Sequence, residues 1–214
     1  MICNLRALAA TAAFAAITVA SAPASALTIT LTPSDLPLPV GQTMIADFDN
    51  PVAAGFTFTQ NVNAFTRSGA LGLWPGVSAP PPGDTTMYET VTSNGLATLA
   101  GKALKTFSFF TGSPDGYNTV RFTGLNGYSQ TLNGAAIFGG ALATNGNQSV
   151  GRRVNYDFGA ERVTKVEFLS GGNSFEFDSL AGAAVPEPGV WAMMITGFGA
   201  VGAVLRRRRT ARYA

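Results

Sequence analysis

Between Leu27 and Ala184 the large apolar residues recur at every second position, in many short runs. Phe56 and Phe58 alternate with threonines, Phe107 and Phe109 with Thr106 and Ser108, and Val120 and Phe122 with Thr119 and Arg121. Val154, Tyr156 and Phe158 continue the pattern, as do Val166 with Phe168 and Phe175 with Phe177. Side chains two residues apart share a face in an extended strand, so each run predicts a strand with one face in a core. Turn chemistry separates the runs. Asn94-Gly95, Asn126-Gly127, Asn133-Gly134 and Asn145-Gly146 tolerate left-handed backbone, and Ser113-Pro114-Asp115-Gly116 places Pro and Gly as a type I turn wants them. Ala97 to Leu104 is ambiguous between strand and helix, and Gly101 argues against a helix there. The expected fold is all-β, with about nine or ten short strands in a β-sandwich of jelly-roll type. No internal repeat of fixed period is present. The 158 residues from Leu27 to Ala184 suffice for one domain with its own core.

Composition removes whole classes of chemistry. The chain has no histidine, and its single cysteine is Cys3. Serine or cysteine nucleophiles activated by histidine are excluded, as are zinc, copper and haem sites built on His or Cys. Metals held by oxygen ligands, calcium above all, remain open. From Leu27 to Ala184 there are eight Lys or Arg against eleven Asp or Glu, a net charge of −3, so this region offers no basic surface for nucleic acid.

The two ends read differently from the middle. Arg6 precedes an apolar stretch, Ala7 to Ala20, followed by Ser21-Ala-Pro-Ala-Ser-Ala26. A basic start, a short apolar run and small residues at Ala24 and Ala26 describe a signal peptide over 1–26, cleaved after Ala26 by the secretion machinery; an uncleaved first membrane helix is the alternative. At the other end Val190 to Leu205 carries no charge over sixteen residues and is followed by Arg206, Arg207, Arg208 and Arg209. As a helix this run spans about 24 Å, short of the roughly 30 Å hydrocarbon core; Trp191 at one interface and snorkelling arginines at the other close most of the gap. The arginines put the basic end in the cytoplasm. Pro186-Glu187-Pro188 then lies outside, held extended by its two prolines. On these grounds residues 185–214 are expected to be a C-terminal transmembrane anchor, with the prolines as a linker.

Pro186-Glu187-Pro188, Trp191-Ala192-Met193-Met194, Gly197-Phe198-Gly199 and the arginine cluster together resemble the PEP-CTERM sorting signal, in its Trp-Ala variant, of exported proteins of Gram-negative bacteria. The resemblance implies an exosortase-type membrane protease as partner, cleavage near Pro186-Glu187-Pro188, transient anchoring in the inner membrane, and delivery to the cell surface or exopolysaccharide matrix. Phe107 to Val120 and Asn173 to Leu180 are similar to passenger domains that accompany this tail, themselves similar to the galactose-binding-like jelly rolls of carbohydrate-binding modules. The expected organisation is a signal peptide over 1–26, a β-sandwich passenger over 27–184, and the sorting signal over 185–214.

Candidate sites in the passenger are few. Asp47 and Asp49 flank Phe48, and Glu176 and Asp178 flank Phe177. If each pair lies on a strand, its carboxylates share a face, and all four would meet at the sandwich rim as a calcium site. The alternative makes Phe48 and Phe177 core residues and the acids their solvated neighbours. The same acids read as a glycosidase pair give a second, enzymatic reading, although no insertion suggests a catalytic cleft. Leu71 to Asp84 is the longest irregular stretch, and Trp74 within it offers a flat face for a sugar ring or a plug over the core. Tyr117 and Tyr128 carry the same ambiguity. Arg152-Arg153 reads as a solvated strand edge. The reading that combines these features is an exported, non-enzymatic interaction module associated with exopolysaccharide; a secreted carboxylate-dependent glycosidase and a permanently tethered periplasmic module are the alternatives.

Overall fold

The computed structural model describes residues 27–112, 114–140, 147, 149–185, 193–199 and 201. The proposed signal peptide with Ala24 and Ala26, the Asn145-Gly146 turn, Pro186, Glu187, Pro188, Trp191 and Arg206 to Arg209 lie outside them. Residues 193–199 and 201 are helical, with Met193, Ile195 and Phe198 exposed. Among the described residues no helix is long and apolar enough to cross a membrane.

The chain forms β1 (Thr28–Thr32), β2 (Thr43–Ala46), β3 (Phe56–Gln60), β4 (Ala64–Ser68), β5 (Met87–Val91), β6 (Gly95–Thr111), β7 (Asn118–Gly124), β8 (Ser129–Asn133), β9 (Arg152–Asp157), β10 (Val163–Ser170) and β11 (Phe175–Ala184). All pairings are antiparallel, and β6 organises them. Its first half, Gly95 to Gly101, pairs with β10 on one side and β3 on the other. Its second half, Leu104 to Thr111, pairs with β9 and β11. One layer therefore runs β8-β7-β10-β6-β3 and the other β1-β9-β6-β11, with β5-β4 and β2 sharing the far edge of β11. The stretch that was ambiguous in sequence, Ala97 to Leu104, is the middle of this strand, where it passes from one layer to the other.

The crossing needs Gly101. A Cβ there would sit 2.3 Å from the Gly55 carbonyl oxygen, because β3 begins where β6 bends. Gly101→Ala is expected to cost about 2 kcal/mol through this overlap, read as a lowered urea midpoint with unchanged slope. Asn94 with φ 61°, and Asn126 with φ 55° before Gly127 with φ 79°, supply the left-handed corners that the Asn-Gly pairs predicted.

The core lies between the layers and is largely aromatic. Phe168 of β10 stacks on Phe177 of β11 with ring centroids 3.9 Å apart and meets Phe109 of β6 edge-on at 5.1 Å. Phe122 of β7 meets Tyr156 of β9 at 4.8 Å. Such contacts across the layers add about 0.5–1.5 kcal/mol each beyond the area they bury. The sandwich expected from the alternation is thus present.

The unexpected feature is the outer face of the β9-β6-β11 layer. Arg153, Phe110 and Asp178 are register partners across three strands and alternate with the core residues Val154, Phe109 and Phe177. An outer face ordinarily meets water. Here Arg153 is 0% and Asp178 3% exposed, because the segments around Asp35 and from Gly72 to Thr86 fold over them.

Candidate ligand cleft and the polar layer beneath it

The Gly72–Thr86 segment has no regular structure of its own, so its backbone groups are tied elsewhere. Arg67 donates to the Gly72 carbonyl at 2.7 Å, Trp74 N–H to Ser78 at 2.8 Å, and Asn173 to the Gly76 carbonyl at 2.8 Å. The Ser174 hydroxyl donates to the Val77 carbonyl at 2.7 Å, and Ala79 N–H to a Glu176 oxygen at 3.0 Å. The Ser78 and Tyr88 hydroxyls meet at 3.1 Å. This density of ties gives an irregular segment a fixed shape.

Trp74 is where the segment meets solvent. The residue is 46% exposed, and its ring packs against Phe65 at 5.9 Å and carries the Arg67 guanidinium 5.4 Å from its centroid. Beside it opens a cleft of about 140 Å³ whose lining includes Trp74, Pro80, Asp115, Asn173, Ser174 and Glu176. The Tyr117 hydroxyl lies 2.6 Å from both the Asp115 carboxylate and the Asn173 carbonyl and fixes that wall. Burial pushes the Tyr117 phenol up, with the Asp115 hydrogen bond and charge adding to it. Burial also raises the Glu176 carboxyl, against the lowering effect of its Ser174 and Ala79 hydrogen bonds. Through its Oε1, which meets Ala79 N–H and the Ser174 hydroxyl, this acid ties the segment to β11. Tyr128 is partly buried against the core near Phe158 and stands apart from the cleft.

The four acids singled out in the sequence do not converge. β2 ends at Ala46, so Asp47, Phe48 and Asp49 lie on a bend, and the φ of 58° at Phe48 breaks the alternation on which their shared face depended. Asp47 accepts two hydrogen bonds from Asn50 at 2.9 Å, and Asp49 accepts one from Met87 N–H at 3.1 Å. Phe48 and Phe177 meet edge-on at 6.1 Å, as the alternative reading had them. Glu176 belongs to the Trp74 cleft, and Asp178 to a second group with Asp35 and Asp84. Among the described residues no group of three or more Asp, Glu, His or Cys is gathered as a metal cluster.

The second group is built around Arg153, which sequence placed on a solvated edge. That expectation fails because the facing segments cover it. Its Nε donates to the Asp35 carbonyl at 2.5 Å, Nη1 to Ser108 Oγ at 2.8 Å, and Nη2 to the Ser179 carbonyl at 3.0 Å and to the Asp35 carboxylate. Ser108 passes the network to Gln42 at 2.5 Å, and Gln42 to Asn155 at 2.6 Å. Ser179 has a φ of 54°, in the left-handed region, and its hydroxyl reaches Asp35 at 2.9 Å. Asp178 is pushed up to about 8 by burial, with the charges of Asp84 and Asp35 adding to it. A second cleft of about 350 Å³, lined by Ser34, Asp35, Pro82, Asp84, Thr86 and Phe110 among others, borders this group. Sequence carried one overlooked signal: Arg153 occupies the off-phase position between Gly151 and Val154, on the opposite face from Val154 and Tyr156.

No family model and no curated protein matches the chain. Among solved structures it is similar to a family 11 carbohydrate-binding module of a cellulosomal cellulase of Clostridium thermocellum, at 14% identity over 70% of this chain and 98% of that one, with a TM-score of 0.32. A family 11 module from the same organism, in complex with a β-1,3-1,4-mixed-linked tetrasaccharide, matches at 15% identity over 70% of this chain and 99% of that one, with a TM-score of 0.31. Similarity at this level carries no argument about the ligand of this chain.

Proposed function

We propose that this chain is an exported, surface-directed protein whose β-sandwich, of the galactose-binding-like jelly-roll kind, is a non-enzymatic module that holds polysaccharide at the Trp74 cleft. The observation that carries the reading is the half-exposed Trp74 ring beside a fixed cleft walled by Asn173, Asp115 and Ser174. An aromatic face with a few convergent polar groups is what a sugar ring needs for stacking and hydrogen bonding. The resemblance of the tail to the PEP-CTERM signal supplies the destination: secretion after loss of residues 1–26, passage through the inner membrane, and release by an exosortase-type protease into the surface or matrix.

The module is tested by affinity electrophoresis of the exported protein through gels containing neutral glucans or the exopolysaccharide of an exosortase-bearing host. The mature protein is expected to be retarded, and Trp74→Ala to weaken the retardation by roughly fivefold or more, as loss of a stacking anchor worth more than about 1 kcal/mol requires. Equal retardation of wild type and Trp74→Ala removes the cleft from the binding surface.

Asp115 and Glu176 lining one cleft keep a glycosidase as the second reading. It predicts release of reducing sugar by the wild type and none by Glu176→Gln. The binding module predicts release by neither. The bond that Glu176 accepts from Ala79 N–H, with the Ser174 hydroxyl against the same oxygen, favours the binding module.

A further inference from the structure

The cleft beside Trp74 supplies donors and acceptors unevenly. Among the described residues of its lining the charged side chains are Asp115 and Glu176, both acids, brought together from the turn before β7 and from β11. The donors along the same walls are spent on the protein itself. Ala79 N–H goes to Glu176 Oε1 at 3.0 Å, the Asn173 amide to the Gly76 carbonyl at 2.8 Å, and the Ser174 hydroxyl to the Val77 carbonyl at 2.7 Å. Asp115 Oδ2 receives the Tyr117 hydroxyl. Asp115 Oδ1 and Glu176 Oε2 take no hydrogen bond from another described residue. The two acids also share one field. Burial raises the Glu176 carboxyl, and the Asp115 charge adds to it; burial raises the Tyr117 phenol, and the Asp115 hydrogen bond and the charges of both acids add to it. Arg67, the cation over Trp74, lies outside the lining and donates to the Gly72 carbonyl at 2.7 Å.

We propose that the Trp74 cleft selects glycans bearing a free amine, with the indole against the sugar ring and the ammonium at Asp115 and Glu176. This inference rests on the polysaccharide reading of the same cleft and narrows its ligand to one chemical class. An ammonium brings three donors and no acceptor, the complement of a wall whose open groups accept. It offsets two like charges that share one partly desolvated cleft, which a neutral hydroxyl does not. Hydrogen bonds between ionised partners are roughly twice as strong as neutral ones. A uronic acid is disfavoured by the same field, since its carboxylate would meet two others with no open donor to receive it. An N-acetylated sugar loses the charge and adds a carbonyl that needs a donor. With Arg67 already over the indole, the acids and not the Trp74 ring take the ligand's cation.

The test is isothermal titration calorimetry of the exported protein, in buffer acidic enough to charge a sugar amine, with β-1,4-linked glucosamine tetrasaccharide, its fully N-acetylated form, cellotetraose and tetragalacturonate. Tetralysine is the control for charge without a sugar ring. The glucosamine tetrasaccharide is expected to bind about tenfold more tightly than cellotetraose or the N-acetylated form, and tetragalacturonate and tetralysine to bind most weakly. Added salt should shrink the preference. Trp74→Ala should weaken glucosamine tetrasaccharide and cellotetraose alike and leave their ratio unchanged. Asp115→Asn and Glu176→Gln should each bring that ratio toward one, whereas a cleft that had lost its shape would weaken both ligands together. Should Glu176→Gln fail to fold, Asp115→Asn decides alone. Equal affinity for glucosamine tetrasaccharide and cellotetraose overturns the amine preference and leaves the polysaccharide reading standing. Tetralysine binding as tightly as the glucosamine tetrasaccharide, or an unchanged ratio in Asp115→Asn, overturns it too. Binding of none of the tetrasaccharides overturns both readings together.

Discussion

Replacing Arg153 by methionine is expected to destabilise the domain by about 3–5 kcal/mol, the range for breaking a buried ion pair from one side. Few single changes in this chain should cost as much. Arg153 is fully buried yet lies outside the aromatic core, under the segments that cover the outer face of β9, β6 and β11. Removing its guanidinium leaves the Asp35 carboxylate, the Ser179 carbonyl and the Ser108 hydroxyl short of a partner together. Methionine retains much of the side-chain volume, so the loss measures charge and hydrogen bonding more than cavity formation. The measurement is equilibrium denaturation with urea. A double substitution, Arg153→Met with Asp35→Asn, should recover part of the loss, since it removes the stranded charge with its partner. A loss below about 1 kcal/mol for Arg153→Met would show that the polar layer is solvated.

The second large effect is a stability that increases toward acid. Glu89 of β5 lies opposite Phe177 of β11, is 0% exposed, and is pushed up to about 8 by burial alone. The Gln60 amide is its polar neighbour, 3.0 Å from both carboxyl oxygens, and a protonated Glu89 can donate to the amide oxygen. The folded state therefore keeps Glu89 protonated at a pH where the unfolded chain, near 4.5, has released the proton. A raised folded pKa contributes stability that is fully present below about 4.5 and is lost as pH climbs through about 8. Each tenfold difference in proton affinity between the folded and unfolded chain is worth about 1.4 kcal/mol, so a gain of several kcal/mol is expected between pH 8 and pH 5. Asp178, pushed up to about 8 as well, and Glu176, also raised, act in the same direction. Glu89→Gln should remove its own share of the dependence and leave that of Asp178, with stability at pH 5 nearly unchanged. Urea midpoints from pH 5 to 8 decide it, and a midpoint that falls steadily toward pH 5 contradicts the assignment.

The aromatic alternation made the sandwich legible from sequence. Val120 and Phe122, Val154 and Tyr156, and Phe175 and Phe177 all turn to one core, and period two has no other economical explanation. The length of β6 was not legible, because Gly101 signals a break in any local reading, whereas here it marks the bend at which one strand serves two layers. Trp74 was legible only as one of two readings, a face for a sugar ring or a plug over the core, because sequence alone does not give its exposure. The paired acids misled for a physical reason. Asp47 and Asp49 depend on Phe48 being extended, whereas Phe48 has a positive φ and packs against Phe58 and Phe177. Arg153, Asp35 and Asp84 were hidden because their meeting depends on two irregular segments closing over a sheet face. No periodicity encodes that event.

We propose above that the chain is a passenger carried out of the cell, with its ends serving as addresses. Intact-mass spectrometry on the protein recovered from cell-surface and matrix fractions of a Gram-negative host with an exosortase system tests this most directly. The expected species begins at Leu27 and ends close to Pro186–Pro188, without Arg206 to Arg209, and retains the tail when the processing enzyme is deleted. A full-length species beginning at Met1 and confined to the cytosol would contradict it.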